Sequence, residues 1–382
     1  MQVRGEEPGD NPSLRCSAWA ASMVGSCLRL RAIPRHVAVR PLLAIVLAAL
    51  APLAEPRSFA AAADPLPWDQ WQHREGIVDV AGPRSDGNLV VVAAGRLFLV
   101  APDGTTAPFA AAEDGFAGSV DGEPYLVVAP ALGGESGGCA FASDDVFILD
   151  LTAPPGVARV DPAGHAGRFA TIPTVDTLNG IAFDTTGRFG HRLLVTGTSQ
   201  NRTIVSAIDC QGGSTTVTDS APPLEGGLAV APAGFGPFGG DLIAADENSG
   251  QLWAIGPDGR TTALLKPNLP TGGDTGVESL GFAPPGFSAG GVAYLSDRRT
   301  LNNPFPGTDS ILRLSSQALG SAGVRDGDLL VATEGGGTTV AVRCDATCTA
   351  SPVADGPLGG HIEGHIALIV DQPAATRAGP ES

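Results

Sequence analysis

The feature that most constrains the fold is an internal repeat of short β-rich segments, separated by turns of glycine, proline and aspartate. Residues 88–110 and 240–265 share the order strand, turn, strand, Pro-Asp-Gly turn, strand. Such turns between runs of β-branched residues are typical of antiparallel hairpins. A unit of four strands that recurs every 40 to 50 residues or so predicts a β-propeller, in which each blade is one four-stranded antiparallel sheet.

The starts of the repeated units set the number of blades. Successive units begin at intervals of 48, 56, 46 and 53 residues, at Glu75, Glu123, Asn179, Glu225 and Glu278. After Glu278, the segments "GVAYLSD" and "SILRLSS" are expected to complete the fifth blade, and "DLLVATE" and "TTVAVRC" to form most of a sixth. We therefore predict an all-β, six-bladed propeller over residues 64–382, whose ring is closed by strands near both chain ends.

The first 63 residues do not share the repeat. Four arginines between residues 29 and 40 precede the apolar run 41–54, and small residues follow it. This order is typical of a secretory signal peptide, and a run of 14 residues is short for a bilayer span. We predict cleavage near Ala63 and a secreted or periplasmic protein. An uncleaved membrane anchor is the alternative.

The charge of the predicted mature chain is strongly negative. The leader holds seven of the 23 basic and four of the 40 acidic residues, which leaves 16 basic against 36 acidic residues. Such a surface repels nucleic acid and anionic membranes, so neither is an expected partner after signal cleavage. We expect a monomer that meets a small-molecule substrate or ligand at the channel mouth.

The cysteines fit an exported protein. Four of the six remain after the leader, and an even number in an exported chain favours disulfides. Cys344 and Cys348 flank one turn, so a local bridge is predicted there. By elimination, Cys139 would pair with Cys210.

The starts of the innermost strands are candidate metal ligands, because these strands begin at one mouth of the propeller channel. Five such positions hold oxygen donors: Glu75, Glu123, Asn179, Glu225 and Glu278. Calcium takes six to eight oxygen ligands in irregular geometry, so a calcium site at this mouth is predicted. Alternatively, water and backbone amides satisfy these residues.

The C-terminal stretch "HIEGHIALIV" (361–370) predicts a different metal. On a strand, His361, Glu363 and His365 share one face, and two imidazoles with a carboxylate suit zinc or another transition metal. The His-x-Glu-Gly opening repeats at residues 73–76. The stretch is either the innermost strand of the last blade or a competitor of "REGIVDV" for the first. In the alternative without metal, its polar side chains only line the channel.

Acidic residues also end the predicted second strands of several blades. Asp246, Asp297 and Glu334 are interpreted as turn caps, and Asp297 is expected to pair with the neighbouring Arg298 or Arg299. The glycine runs flank β-rich segments rather than opening helices, so they predict neither a phosphate-binding loop nor a dinucleotide-binding motif.

Three short motifs carry a family resemblance. Glu75 in "REGIV", Asn179 in "NGIAFD" and Glu225 in "LEGGL" resemble the inner-strand openings of the senescence-marker-protein, regucalcin and gluconolactonase family of six-bladed propellers. Glu225 departs from that family, which has aspartate there. NHL-type and strictosidine-synthase-like propellers share the same general features.

The resemblance implies a function as well as a fold. It implies a divalent cation, often calcium, held by these three residues, hydrolysis of a lactone or similar ester, and Glu225 as general base. The alternative is a non-catalytic propeller that binds a ligand or protein at its rim.

Overall fold

The computed structural model describes residues 64–120, 122–132 and 140–371. The predicted signal peptide and Cys139 lie outside this range. Within it, no helix has the length and apolar character needed to cross a membrane. A disulfide joins Cys344 to Cys348, as predicted. Cys210 is also disulfide-bonded.

Nearly all regular structure is β, and the first four blades follow the chain order. Two short strands come first, β1 (Leu66–Pro67) and β2 (Asp69–His73). The next 16 strands form four antiparallel sheets, each running from its innermost to its outermost strand. Their bounds are β3 Ile77–Ala81, β4 Leu89–Ala93, β5 Arg96–Val100, β6 Thr106–Phe109; β7 Leu126–Val128, β8 Val146–Asp150, β9 Gly156–Val160, β10 Ala166–Thr171; β11 Thr177–Phe183, β12 Leu193–Ser199, β13 Arg202–Ile208, β14 Ser214–Ala221; β15 Glu225–Val230, β16 Leu242–Asp246, β17 Gln251–Ile255 and β18 Thr261–Leu265.

The last two blades interleave along the chain. The fifth contains β19, β22, β23 and β24 from the centre outwards, and the sixth contains β25, β20, β21 and β2. Their bounds are β19 Val277–Phe282, β20 Gly291–Asp297, β21 Ser310–Ser315, β22 Leu329–Thr333, β23 Thr339–Cys344, β24 Cys348–Asp355 and β25 Ile362–Val370. One short helix, α1 (Ser316–Ser321), connects β21 to β22, and two 3-10 turns span Gly236–Phe238 and Phe287–Ala289.

This interleaving corrects the expected order of strands. The segments "GVAYLSD" and "SILRLSS" form β20 and β21 of the sixth blade, whereas "DLLVATE" and "TTVAVRC" form β22 and β23 of the fifth. Each of these apolar strands fits either blade by its pattern. In the structure, β22 pairs with the inner strand β19 and β20 pairs with the inner strand β25. The two inner strands meet in parallel at Leu280 and His365.

Four blades are separate four-stranded sheets, the fifth and sixth are joined in one nine-stranded sheet that includes β1, and the ring closes as predicted. The six innermost strands each contact the next around the channel, and β25 contacts β3. The sixth blade combines the C-terminal β25 at its centre with the N-terminal β2 at its outer edge. The strand β1 also adds in parallel to β24 of the fifth blade. Closure by both chain ends leaves no inner edge free for pairing. "HIEGHIALIV" is therefore an innermost strand, and it lies beside "REGIVDV".

Apolar faces hold the blades together. Phe141, Phe147, Phe169 and Phe183 form a mostly edge-to-face cluster between the second and third blades, with ring centroids 4.8–6.1 Å apart. Each such aromatic pair contributes about 0.5–1.5 kcal/mol beyond its buried area. The second strand of the first blade, β4, is buried at all five residues. The apolar faces of the blades are therefore buried against each other.

A glycine bulge interrupts the alternation of side chains along β25. Between the pairs Ser296–Glu363 and Tyr294–Ala367, the single residue Leu295 of β20 lies opposite three residues of β25, 364–366. Gly364 has φ of 69°, and a Cβ added to it would lie 2.3 Å from Asp79 Oδ1. Only glycine fits this position without displacing the carboxylate. As a consequence, Glu363 and His365 are not on one regular strand face.

A buried ion pair between Asp79 and His365 joins the first and last blades. Asp79 Oδ2 lies 2.9 Å from His365 Nδ1, and its oxygens accept backbone N–H groups of Val80, Leu126 and His365 at 2.8–2.9 Å. His365 Nε2 lies 2.8 Å from the carbonyl oxygen of Ile181. Because both ring nitrogens face acceptors, the imidazole donates from both and is protonated.

The pKa of His365 agrees with this protonation. Burial lowers the pKa, but the charge of Asp79 and the hydrogen bonds to Asp79 and Ile181 more than offset burial and raise it above its ordinary value. One cation and one carboxylate therefore connect strands β3, β7, β11 and β25, which belong to four blades.

Replacing His365 tests this connection. We expect His365→Ala to lower the free energy of unfolding by about 3–5 kcal/mol, because it leaves the buried Asp79 without its counter-charge. His165→Ala is the matched control, since His165 also lies 2.9 Å from an aspartate, Asp161, but is exposed. The loss of stability in His165→Ala should be much smaller, because solvent screens an exposed ion pair.

The measurement is urea unfolding at several pH values. Folding raises the pKa of His365, so its contribution to the free energy of unfolding is complete at pH values below the pKa of the unfolded state. This contribution is lost as pH rises through the higher pKa of the folded state. The difference between wild type and His365→Ala should therefore be larger at pH 6 than at high pH. Equal losses for the two histidine variants would contradict a central role for this ion pair.

Candidate metal centre at the acidic mouth

Glutamates gather at the channel mouth where the inner strands begin. Each of six interacts electrostatically or by a hydrogen bond with at least one other. We call the group the acidic mouth; it comprises Glu123, Glu225, Glu247, Glu278, Glu334 and Glu363, with Tyr125, Arg298 and His361.

Two kinds of strand end supply these residues. Glu225, Glu278 and Glu363 lie at or next to the starts of the inner strands β15, β19 and β25. Glu247 and Glu334 directly follow the second strands β16 and β22. A second strand runs antiparallel to its inner neighbour, so its end lies at the mouth where the inner strand begins. The fold therefore brings both sets to one place.

The closest convergence of ligand atoms involves Glu334, His361 and Glu363. His361 Nε2 lies 3.1 Å from Glu334 Oε1 and 3.2 Å from Glu363 Oε1. One ligand atom from each residue lies within 4.8 Å of the other two, and all three residues are buried. The backbone holds the group in place, because Ile362 N–H donates to Glu334 O at 2.9 Å and His361 N–H donates to Asp297 Oδ1 at 2.7 Å.

Tyr125 lies among three carboxyl groups. Its hydroxyl oxygen is 2.8 Å from both Glu278 Oε1 and Glu363 Oε2, and 3.4 Å from Glu123 Oε2. A phenol has one proton to donate. When it donates to Glu363, a favourable second contact at 2.8 Å requires Glu278 to carry a proton. Burial, followed by the charge of Glu363, raises the pKa of Glu278 well above its ordinary range, which agrees with this assignment.

Arg298 is the guanidinium of the acidic mouth. Its Nη1 lies 2.8 Å from Glu123 Oε1 and 3.4 Å from Glu363 Oε1, and its backbone N–H donates to His361 O at 2.7 Å. The expected ion pair with Asp297 is not what holds it. Asp297 instead accepts the backbone N–H of His361 and the hydroxyl of Thr308, which lies in the loop between β20 and β21.

The excess of carboxyl groups shifts their pKa values upward. The charge of Glu363, together with burial, raises the pKa of Glu123 to about 7. Burial, followed by the charges of Glu363 and Glu247, raises the pKa of Glu334 to about 10. Burial, followed by the charge of Glu247, also raises the pKa of Glu225. Such a group of acids is stabilised either by protons or by a cation.

Two polar atoms of the acidic mouth lack a hydrogen-bond partner among the described residues. Within the described part of the chain, His361 Nδ1 and Glu247 Oε1 are buried and have no hydrogen-bond partner. An unpaired buried polar atom costs about 1–3 kcal/mol. One imidazole and two carboxylates are a donor set found at divalent metal sites, so these residues fit a bound cation.

The structure brings five of the eight predicted metal ligands to the acidic mouth: Glu123, Glu225, Glu278, His361 and Glu363. Glu75 is exposed and precedes β3. Asn179 is half-buried, and its Oδ1 accepts from the hydroxyls of Thr177 and Thr198 at 3.4 and 3.1 Å. His365 has partners on both ring nitrogens, so no lone pair is available for an ion.

Sequence interpretation missed several members of the acidic mouth. Glu334 was expected to be only a turn cap, and Glu247, Tyr125 and Arg298 were not proposed as site residues. The strand order could have predicted Glu247, Glu334 and Arg298, because a residue that ends a second strand lies at the mouth where the neighbouring inner strand begins. The interpretation as a turn cap holds for Asp246, whose carboxylate accepts Ser249 N–H at 3.1 Å.

Comparisons with known proteins give low similarity. No family model matches the chain, and no curated protein matches it significantly. The solved structures similar to it include a virginiamycin B lyase from Staphylococcus aureus at 14% identity and TM-score 0.39, covering 68% of this chain and 77% of that one. They also include a calcium-binding regucalcin from Agrobacterium tumefaciens at 14% and TM-score 0.37, covering 62% and 74%.

A third structure, a putative gluconolactonase, is 15% identical at TM-score 0.32 and covers 66% of this chain and 93% of that one. The similar structures thus include the regucalcin and gluconolactonase types that the motifs resemble. At these values they carry no argument on activity.

The raised pKa values predict the pH dependence of stability in metal-free protein. A carboxyl group whose pKa rises on folding contributes its full stability at pH values below the pKa of the unfolded state. This contribution is lost as pH rises through the pKa of the folded state. For Glu123 the window runs from its ordinary value of 4.5 to about 7. We expect the free energy of unfolding to fall across this window, and to fall less in Glu123→Gln.

Urea unfolding of chelator-treated protein at pH 5, 6 and 7 measures this fall. Glu113→Gln is the matched control, because Glu113 is an exposed glutamate. It should keep the wild-type pH dependence. A Glu123→Gln curve parallel to wild type would show that Glu123 takes up no proton on folding.

Proposed function

We propose that the acidic mouth binds a divalent metal ion through Glu334, His361 and Glu363, and that the loaded site hydrolyses a lactone or related ester. The observation that carries the metal site is the convergence of these three buried donors within 4.8 Å. The surrounding excess of carboxyl groups supports it. The reaction class comes from the family resemblance of the motifs.

The donor set favours one class of ion. Calcium prefers oxygen ligands only, whereas zinc and similar transition ions accept imidazole nitrogen together with carboxylate oxygen. His361 Nε2 between Glu334 and Glu363 therefore supports a transition metal at this position. Calcium, the ion expected from the oxygen donors at the strand starts, is the alternative and needs a ligand set centred on Glu225 and Glu278.

The remaining residues of the mouth suit ester hydrolysis. A bound divalent metal would supply polarisation of the carbonyl and a lowered pKa of water. Glu225 is the proposed general base, because it is half-buried and its raised pKa brings it closer to neutral pH. It would take a proton from the attacking water and return that proton to the leaving alkoxide as the ester C–O bond breaks. Arg298 would orient Glu123 and Glu363.

The setting of the proposed activity follows from the sequence. A chain with a signal peptide would act outside the cytoplasm on a small molecule that enters the channel mouth, as a monomer. If the site holds a metal but turns over no ester, the protein is a metal-binding propeller that recognises a ligand at its rim.

Metal titration with matched variants tests the ligand set. We expect about one Zn²⁺ or Mn²⁺ per chain, and a loss of affinity beyond about 100-fold in His361→Ala and Glu363→Gln, because removing even an outer partner of a ligand costs 10–100-fold. Glu75→Gln should bind like wild type, since Glu75 is exposed. Calorimetry with Zn²⁺, Mn²⁺ and Ca²⁺ measures this, with circular dichroism to confirm folding. Loss of binding in Glu75→Gln alone would assign the ion to the other predicted set.

Glu225→Gln tests the proposed base. We expect it to lower kcat by about 10²–10⁴-fold while metal affinity stays within about threefold, because Gln cannot accept the proton. The assay is a panel of lactones and p-nitrophenyl esters, with and without chelator. Wild-type protein that binds metal but hydrolyses none of them would reject the hydrolase and favour the non-catalytic propeller.

A further inference from the structure

Three large aliphatic side chains are strongly exposed among the residues that the structure describes. They are Val120 at 66%, Leu301 at 72% and Leu358 at 104% of full exposure. Each lies three positions along the chain from a member of the acidic mouth; the pairs are Val120 and Glu123, Leu301 and Arg298, Leu358 and His361. Scattered exposed aliphatic residues need no explanation, but the loops that carry these three lie at the same end of the propeller.

The topology places all three at the same end of the propeller. Val120 and Leu358 lie in the connections that lead from an outermost strand into the inner strands β7 and β25. Leu301 follows the end of the second strand β20. These are the strand ends that form the acidic mouth. The aliphatic side chains therefore stand on the loops around it, and we call them the apolar rim.

Two of the rim loops are braced against each other. Gly307 N–H donates to Gly359 O at 2.9 Å, which joins the loop of Leu301 to the loop of Leu358. Within the first loop, Thr300 N–H donates to Pro306 O at 2.9 Å. The ring of Phe305 lies so close to Gly335, next to Glu334, that an added Cβ would be 2.6 Å from it. The loops that carry the two exposed leucines are thus held in place by backbone hydrogen bonds and packing.

A polar mouth inside an apolar rim matches an amphiphile. We propose, resting on the function proposed above, that the substrate is an uncharged ester or lactone with an alkyl chain, whose carbonyl enters the mouth while the chain covers Val120, Leu301 and Leu358. A fully hydroxylated sugar lactone gains nothing from exposed aliphatic side chains. Covering them removes apolar area from water, which favours binding by about 25 cal/mol per Å².

Charge narrows the ligand class further. Six glutamates with one arginine and one histidine repel a carboxylate or phosphate headgroup. The net charge of the chain, −17, also disfavours anionic lipid surfaces. A neutral polar group on an alkyl chain is the class that both the mouth and the rim accept.

Chain-length dependence of binding tests the proposal without requiring turnover. The probes are acetohydroxamic and octanohydroxamic acid, titrated by calorimetry into metal-loaded protein. We expect the longer probe to bind tighter by on the order of 100-fold, since a fully buried methylene is worth about fourfold and the rim covers the chain only in part. Val120→Ser, Leu301→Ser and Leu358→Ser, combined, should reduce the ratio to about threefold.

Matched variants and a metal titration separate the outcomes. The combination Val120→Ile, Leu301→Met and Leu358→Met keeps the rim apolar and should keep the wild-type ratio. If metal binds and the two probes bind wild-type protein equally, the rim proposal is overturned while the metal site stands. If no metal binds, the proposed function fails, and the rim proposal fails with it.

Other occupants of the rim would give different results. Flotation with neutral phosphatidylcholine vesicles and sedimentation across protein concentrations test a membrane surface and a second copy of the chain. Vesicle binding or dimerisation that the serine variant abolishes, together with equal binding of the two probes, would assign the rim to that occupant and overturn the proposal.

Discussion

The buried pair of Asp79 and His365 is the contact on which the channel depends. Residues 286 positions apart in the sequence meet where the first and last blades close the ring, and Asp79 is fully buried. The hydrogen bonds to Leu126 and Ile181 extend the contact to the second and third blades. Sheet pairing holds each blade together, but polar contacts of this kind set how the inner strands face one another. The positions of the mouth residues follow from that arrangement.

One strand, β25, serves both the closure and the candidate site. His361 and Glu363 lie at the acidic mouth, whereas His365 lies deeper in the channel and completes the ion pair. The bulge at Gly364 separates the two roles, because its positive φ interrupts the regular alternation of the strand. Above it, carboxyl groups converge in an arrangement that costs energy unless protons or a cation neutralise them. The proposed metal site places carboxyl groups where they lower the stability of the metal-free fold, whereas the ion pair two residues further along β25 stabilises it.

Much of this could be predicted from the sequence. The spacing of repeated strands indicated a closed six-bladed ring, and the strand starts identified Glu225 and Glu278 as neighbours at the channel mouth. The C-terminal motif predicted that His361 and Glu363 lie together as candidate metal ligands. Glu334 and Arg298 were interpreted as ordinary strand-end residues, because a turn cap and a metal ligand have the same local pattern. His365 was grouped with the wrong partners, because period-two alternation holds only while the strand has no bulge.

The sequence by itself determined the elements and the chemistry that each carries. Alternating apolar residues and turn signals are local, so they specify strands, blades and a surplus of acids without reference to the rest of the chain. Only the tertiary structure decided which elements are neighbours. The interleaving of the fifth and sixth blades, the pairing of Asp79 with His365 and the meeting of Glu334 with His361 are contacts between distant segments. Their energies depend on which strands flank β25. The flanking strands are set by closure of the whole ring, because each inner strand must pack against two neighbours at once.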